Sequence, residues 1–388
     1  MKIIHKADWH IGQDFYNHQR HEEHRHFFDQ LEAIVAREQA DALLVSGDIY
    51  HTATPSNAAV RLYTESMVRL HRCCPTMRII VTAGNHDSCA RLESTDTLWK
   101  MANLDVVGSI DYDAESDRYN PARNIIEIDG RGFVAAIPYV NKRHSAIFST
   151  TLNAVAERNA NGIPVVLMGH LAVEGCDITG HDPHLVGGME TQTIDNLCSG
   201  GYDYFALGHI HRPQTLSERV RYSGSPIHIS FDENYPHTIS IVEIEGRGRP
   251  PVIREERIHQ RMHTYTVPKE AAPFDEALNE LIRFQPKEPG YLRLNIKVRD
   301  YAPTNAESRV VEALAGKPEL KFCHIKTEIE KRPSTTERVH LDIAKIKAIS
   351  PMEIALAAYR EKFGQDMDTE KQEMLRAIVN ETINTIAD

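Results

Sequence analysis

Five stretches of this 388-residue chain end an apolar run in a similar way. Residues 2–5 lead into Asp8-Trp9-His10, and residues 42–45 into Gly47-Asp48. Residues 79–81 lead into Gly84-Asn85-His86-Asp87, residues 164–168 into Gly169-His170, and residues 204–207 into Gly208-His209-Ile210-His211. Four of the five place glycine immediately before the polar residue, where the backbone must turn tightly or approach something closely. Asp8, His10, Asp48, Asn85, His170, His209 and His211 are oxygen and nitrogen donors suited to manganese, iron or zinc. No thiolate accompanies them, which argues against a structural zinc site. Taken singly, each has an ordinary use: Asp8 could cap a helix, Asp48 fill a turn, and each histidine end a polar loop. Repetition at five strand ends favours one shared site, because ligands of open α/β sheets gather beyond the carboxyl ends of the strands.

The elements that must carry these loops are legible in outline. Residues 1–250 alternate strands with helices, which predicts a layered α/β domain. One helix shows Phe27, Phe28, Leu31, Ile34 and Val35 on one face, a second spans about 55–72, and a third about 146–160. Asp129-Gly130 predicts a hairpin between residues 124–128 and 132–137. Arg249-Pro250-Pro251 marks an edge of this unit. Residues 262–331 then read strand, helix, strand, helix, strand, a small α+β unit. Residues 331–338 are polar and proline-broken like a linker. Ser350-Pro351-Met352-Glu353 opens a helix with a stripe through Leu356 and Tyr359. A second helix follows, with Leu375 and Ile378 on its stripe. Two such helices cannot bury both stripes on each other, so they need the body of the protein or a partner.

A net charge of −11 argues against non-specific nucleic-acid binding by the whole surface, while leaving room for a local basic groove. No apolar run approaches a membrane span, the first residues lack a signal-peptide pattern, and the six cysteines show no C-x-x-C spacing. A cytoplasmic protein is expected. Of the 21 histidines, His18, His21, His24 and His26 read as solvated surface. No phosphate-loop motif occurs, so any ATP-driven step must come from elsewhere.

The five loops resemble the signature of the calcineurin-like metallophosphoesterases. The longer strings Asp8-Trp9-His10-Ile11-Gly12-Gln13, Gly84-Asn85-His86-Asp87-Ser88, Ala206-Leu207-Gly208-His209-Ile210-His211 and Tyr222-Ser223-Gly224-Ser225-Pro226 resemble its bacterial Mre-type nucleases. Ala7 departs from the serine common there, at a position that is no ligand. The resemblance implies a four-layer metallophosphoesterase β-sandwich flanked by helices (1–250), a small α+β DNA-capping domain (260–332) and a C-terminal helical pair (343–388). It implies two metal ions, manganese foremost. One would be held by Asp8, His10, Asp48 and His211, the other by Asp48, Asn85, His170 and His209. The two oxygens of Asp48 would span the pair. His86 would then face the phosphate or the leaving oxygen, and Asp87 either steadies that imidazole or caps the turn. His51 matches a histidine that some members use to place the phosphodiester.

The implied activity is exonucleolytic cutting of double-stranded DNA ends and endonucleolytic cutting of hairpins or blocked ends, in repair and recombination. The implied partner is an ABC-type ATPase with coiled coils, docked on the tail around Leu356, Tyr359 and Leu375. A homodimer is implied as well, for which the 55–72 helix with Leu62, Met67 and Leu70 is a candidate, although a core-facing stripe is the simpler reading. Arg20, Arg91, Lys142 and Arg143 are candidates to meet DNA phosphates, with a solvated charge cluster as the alternative for the 141–144 group. Two other functions compete. A small-molecule phosphodiesterase or phosphatase would use the same metals, and a metal-stabilised scaffold for the ATPase would need no catalysis.

Overall fold

The computed structural model describes residues 1–180, 191–299 and 301–330, together with 356, 359–360, 364, 366–368 and 371–373. The chain divides into two compact units, Met1–Ile329 and Glu330–Asp388.

Two six-stranded sheets form the centre of the first unit. The first runs Val252–Arg257, Thr238–Glu243, Lys2–Lys6, Ala42–Ser46, Arg78–Thr82, Leu104–Val107. Its last four strands are parallel, with Ile3 opposite Ala42 and Leu43 opposite Ile79, whereas Thr238–Glu243 runs antiparallel to Lys2–Lys6. The second runs Gln214–Ser217, Val220–Tyr222, Tyr204–Gly208, Val165–His170, Gly132–Ala136, Ile125–Ile128. The expected Asp129-Gly130 hairpin is there, both residues with positive φ.

Alternation along the strands makes four layers. Ile3, Leu44 and Ile80 of the first sheet meet Val134, Val166 and Met168 of the second. Their neighbours Ile4, Leu43, Val45 and Ile79 point the other way, onto helices His21–Glu38 and Asn57–Cys73. Ile147, Phe148, Leu152 and Val155 of helix Ala146–Arg158 cover the outer face of the second sheet. Strands buried on both faces read as largely apolar runs, and the polar loops they deliver emerge at their ends.

Two sequence expectations are corrected, and the core-facing reading of the 55–72 stripe is borne out. The first sheet continues past residue 250, because Val252–Arg257 pairs antiparallel with Thr238–Glu243. Leu62, Met67 and Leu70 are buried in the core, so that stripe is not a dimer surface. His24 is buried beneath the first ligand loop, 2.9 Å from the Trp9 carbonyl, to which its Nε2 donates.

The α+β unit has strands His263–Ala272, Gly290–Val298 and Leu320–Ile329 in one parallel sheet, covered by helices Phe274–Arg283 and Ala306–Ala313. It is attached to the sandwich through a buried network. Arg20 donates to Glu23 Oε1 at 3.0 Å and Oε2 at 2.6 Å, to Gln13 Oε1 at 2.9 Å and to the His228 carbonyl. The Tyr291 hydroxyl donates to the same Glu23, and Phe15, Phe231, Met262 and Tyr291 pack around it. Arg20 is therefore not available to DNA. Its removal would strand a buried carboxylate, so Arg20→Ala should destabilise the fold by about 3–5 kcal/mol, read by urea unfolding. A loss below about 1 kcal/mol would mean that the network is solvated.

Leu356 and Tyr359 are half-buried and helical, whereas Leu375 and the 331–338 stretch lie outside the described residues. Among the described residues no helix is long and apolar enough to cross a membrane.

Candidate metal centre

The seven donors named above come together where the two sheets present their strand ends. Two groups have ligand atoms within 4.8 Å of one another: Asp8, His10 and His211, and Asp48, His170 and His209. Four of the seven residues, Asp8, His10, Asp48 and His209, have positive φ without being glycine. Such backbone is costly and clusters at functional sites.

The glycines of the loops have a steric reason. A Cβ on Gly84 would stand 2.1 Å from Asp48 Oδ1, and one on Gly47 2.1 Å from His170 Nδ1. The side chains of one loop occupy the space that the glycine of another leaves open.

In the first group, His10 Nε2 and His211 Nε2 are 3.1 Å apart, and His10 Nε2 is 3.6 Å from Asp48 Oδ2. Asp8 Oδ1 accepts from the His209 amide at 2.8 Å, while its Oδ2 is buried with no hydrogen-bond partner. In the second group, His170 Nε2 lies 3.3 Å from Asp48 Oδ2 and 3.1 Å from Asn85 Oδ1, and His209 Nδ1 is 3.0 Å from the same amide oxygen. Ligands about 2.0–2.2 Å from one ion stand roughly 3 Å apart from each other, so these separations and the orphaned Asp8 oxygen fit bound divalent cations.

Asp48 Oδ2 faces both groups, and Oδ1 accepts from the His86 amide at 3.0 Å. Oδ2 is thus the Asp48 oxygen that lies near ligand atoms of both groups, and Oδ1 is the one engaged by backbone. The Ser46 carbonyl, 2.9 Å away, takes the Nδ1 proton of His170 and leaves Nε2 for the site. Asp8, His10, Asp48, His170 and His211 form a buried rear wall, and Asn85, His86 and His209 form the accessible front.

His86 donates from Nδ1 to the His51 carbonyl at 2.9 Å. Its ring stands edge-on to His10, 5.0 Å between centroids, and stacks on His51 at 5.6 Å. Asp87 does not steady this imidazole. Its carboxylate accepts from the amides of Ile49, Tyr50 and Gly84 at 2.8–3.0 Å and ties the Asp48 loop to the Asn85 loop. Of the two roles open for Asp87, the turn cap is the one formed.

Electrostatics prepare the site for cations. Burial raises Asp8. For Asp48 burial also acts upward, but the neighbouring His170 and His10 outweigh it and hold the carboxyl well below its usual range. For His170 burial acts downward, yet the facing Asp48 carboxylate lifts it to about 9. A cation entering near pH 7 must therefore displace a proton from His170. The ligand-competent fraction grows with pH up to about 9, so metal affinity should rise about tenfold per pH unit from 7 towards 9 and then level off. Competition with a fluorescent chelator at pH 7, 8 and 9 measures this, and affinity independent of pH would contradict it.

Sequence reasoning missed Glu233, whose Oε1 lies 3.6 Å from His211 Nδ1 behind the first group. No glycine or strand end announces it. Arg91, Lys142 and Arg143 are exposed.

Residues 1–213 match the family described as calcineurin-like phosphoesterase. The SbcD subunit of the SbcCD nuclease of Rhodobacter capsulatus is 30% identical, over 64% of this chain and 68% of that one. The protein of the same name in Escherichia coli K12 is 26% identical, over 100% of this chain and 99% of that one. A Bacillus subtilis namesake is 30% identical over 63% of this chain and 66% of its own.

Proposed function

We propose, from the premise that the chain belongs to the calcineurin-like phosphoesterase family and within it to the SbcD nucleases, that its seven-donor centre cuts DNA with two manganese ions. The observation that carries the reading is the convergence of two donor groups on the single oxygen Asp48 Oδ2.

The centre is a hydrolytic, metal-dependent nuclease site, and the finer assignments are as follows. Asp8, His10, Asp48 and His211 hold one ion, and Asp48, Asn85, His170 and His209 the other. Two cations so held supply Lewis acidity toward a phosphodiester and toward the water that attacks it in line. The residues do the rest. Two carboxylates against two dications leave the loaded centre net positive, and Asn85 adds a donor without adding repulsion toward phosphate. The accessible side formed by Asn85, His86 and His209 is where a phosphodiester enters. With Nδ1 committed to the His51 carbonyl, His86 has Nε2 for substrate. As imidazolium it donates to a phosphate oxygen and can pass its proton to the leaving oxygen. His51 sets the position of His86 through that carbonyl. Asp87 keeps the two loops in register.

Arg91, Lys142 and Arg143 are the cations placed to meet DNA backbone, and the α+β unit borders the duplex as a cap. The partner is an SbcC-type ABC ATPase, docked on the tail stripe of Leu356, Tyr359 and Leu375, and the assembly contains two copies of this chain. Double-stranded ends and hairpins are the substrates.

The test is cleavage of an end-labelled DNA hairpin by the purified chain with manganese, with and without the ATPase, beside a cyclic nucleotide under the same conditions. Hairpin cleavage and an inert cyclic nucleotide are expected. Turnover of the cyclic nucleotide with intact DNA would instead make this a small-molecule phosphodiesterase.

A further inference from the structure

Behind His211 lies a second set of metal-ligating side chains that the nuclease centre does not use. His228, Glu233 and His237 have ligand atoms within 4.8 Å of one another. We propose that these three residues form a third divalent-cation site, of zinc chemistry, in the loop following the second sheet.

The spacing is that of a coordination shell. His237 Nε2 is 3.1 Å from His228 Nδ1 and 3.4 Å from Glu233 Oε2, and His228 Nδ1 is 3.9 Å from that oxygen. A tetrahedral zinc ion with bonds of about 2.0–2.2 Å requires ligand separations of roughly 3.3–3.5 Å, so all three atoms can reach one point with small adjustments. The tautomer of His237 is already fixed for the role. Its Nδ1 donates to the Ser225 carbonyl at 2.8 Å, which turns the Nε2 lone pair toward the cluster.

Burial strengthens the case. Glu233 is 3% exposed and His237 2%. Glu233 Oε2 accepts from the Ile229 amide at 3.0 Å, and a cation would complete the neutralisation of a carboxylate that deep. The guanidinium of Arg20 is committed to Glu23 and Gln13 and reaches this loop only at the His228 carbonyl. A cavity of about 810 Å³ borders all three residues, with Gln260 and His263 on its wall. It supplies an entry path and room for a water in the fourth position.

Two histidines and one glutamate with an open position form a donor set found in zinc sites. Glu233 connects this set to the nuclease centre, since Oε2 belongs to the cluster while Oε1 faces His211 Nδ1 at 3.6 Å. A cation here would fix Glu233 and through it the orientation of His211. The site itself does not depend on the nuclease reading.

The full-length chain, stripped with chelator and dialysed against zinc, is assayed for metal by mass spectrometry. The wild type should retain one more zinc ion per chain than His228→Gln and than His237→Asn. Asp48→Ala should lower the content of every protein while leaving that difference of one intact, which separates this site from the dinuclear one. Circular dichroism checks each variant for folding. His228 lies at the cavity edge, so His228→Gln decides the matter if His237→Asn does not fold. Equal zinc in wild type and His228→Gln overturns the proposal and leaves the three groups joined by a shared proton.

Discussion

His86→Ala should lower hairpin cleavage by about 10²–10⁴-fold while the manganese content stays at two ions per chain. The expectation rests on position. The ring stands beside His10 and groups with His10 and His51 rather than with the aspartates, and its Nδ1 is committed to the His51 carbonyl. Truncation therefore removes a proton donor and a phosphate contact and leaves the ligands in place. Metal analysis and cleavage rates on one preparation test both halves. Full activity would remove His86 from the chemistry and favour the scaffold reading, whereas lost metal would make it a structural support of the centre.

A larger effect is expected at Asp48. Oδ2 of this residue faces both groups, at 3.6 Å from His10 Nε2 and 3.3 Å from His170 Nε2. Asp48→Ala removes the shared ligand and half of the negative charge that the carboxylates supply. Cleavage should fall by more than about 10³-fold, because the acidification of water depends on bound metal. The rise in melting temperature that manganese gives the wild type should also disappear, since ligand that no longer binds the native state cannot stabilise it. A variant that keeps a manganese-dependent melting shift would show that one group holds its ion without the bridge.

The legibility of the site follows from how its residues are delivered. Strands buried on both faces are mostly apolar, so a polar loop at their end stands out, and the glycine before the polar residue marks a close approach of loops. Gly84 shows why. Its missing side chain is the space occupied by Asp48 Oδ1, a contact between loops that follow neighbouring strands. The layered fold was legible for the same reason, and so was the strand–helix order of the α+β unit.

What could not be read are the side chains whose partners lie far along the chain. Arg20 looks like a surface cation beside a ligand loop, and only the fold brings the Tyr291 hydroxyl to its Glu23 partner. His24 sits among charged residues of a helix, yet its ring supports the Trp9 carbonyl from below. Asp87 follows His86 directly, and chain order suggests that the two cooperate. The backbone turns Asp87 inward instead, onto three amides. Glu233 carries no local signal at all, because it works through His211 and through the two histidines of its own loop.

The placement of the metals is the point on which nuclease chemistry at this centre depends. Crystals of the protein soaked in manganese, with diffraction recorded at the manganese absorption edge, locate the ions directly. Two anomalous peaks are expected in the cleft, one among Asp8, His10 and His211 and one among Asn85, His170 and His209, both in contact with Asp48. A single peak, or peaks that leave Asp48 out of contact, would contradict a dinuclear centre bridged by that carboxylate.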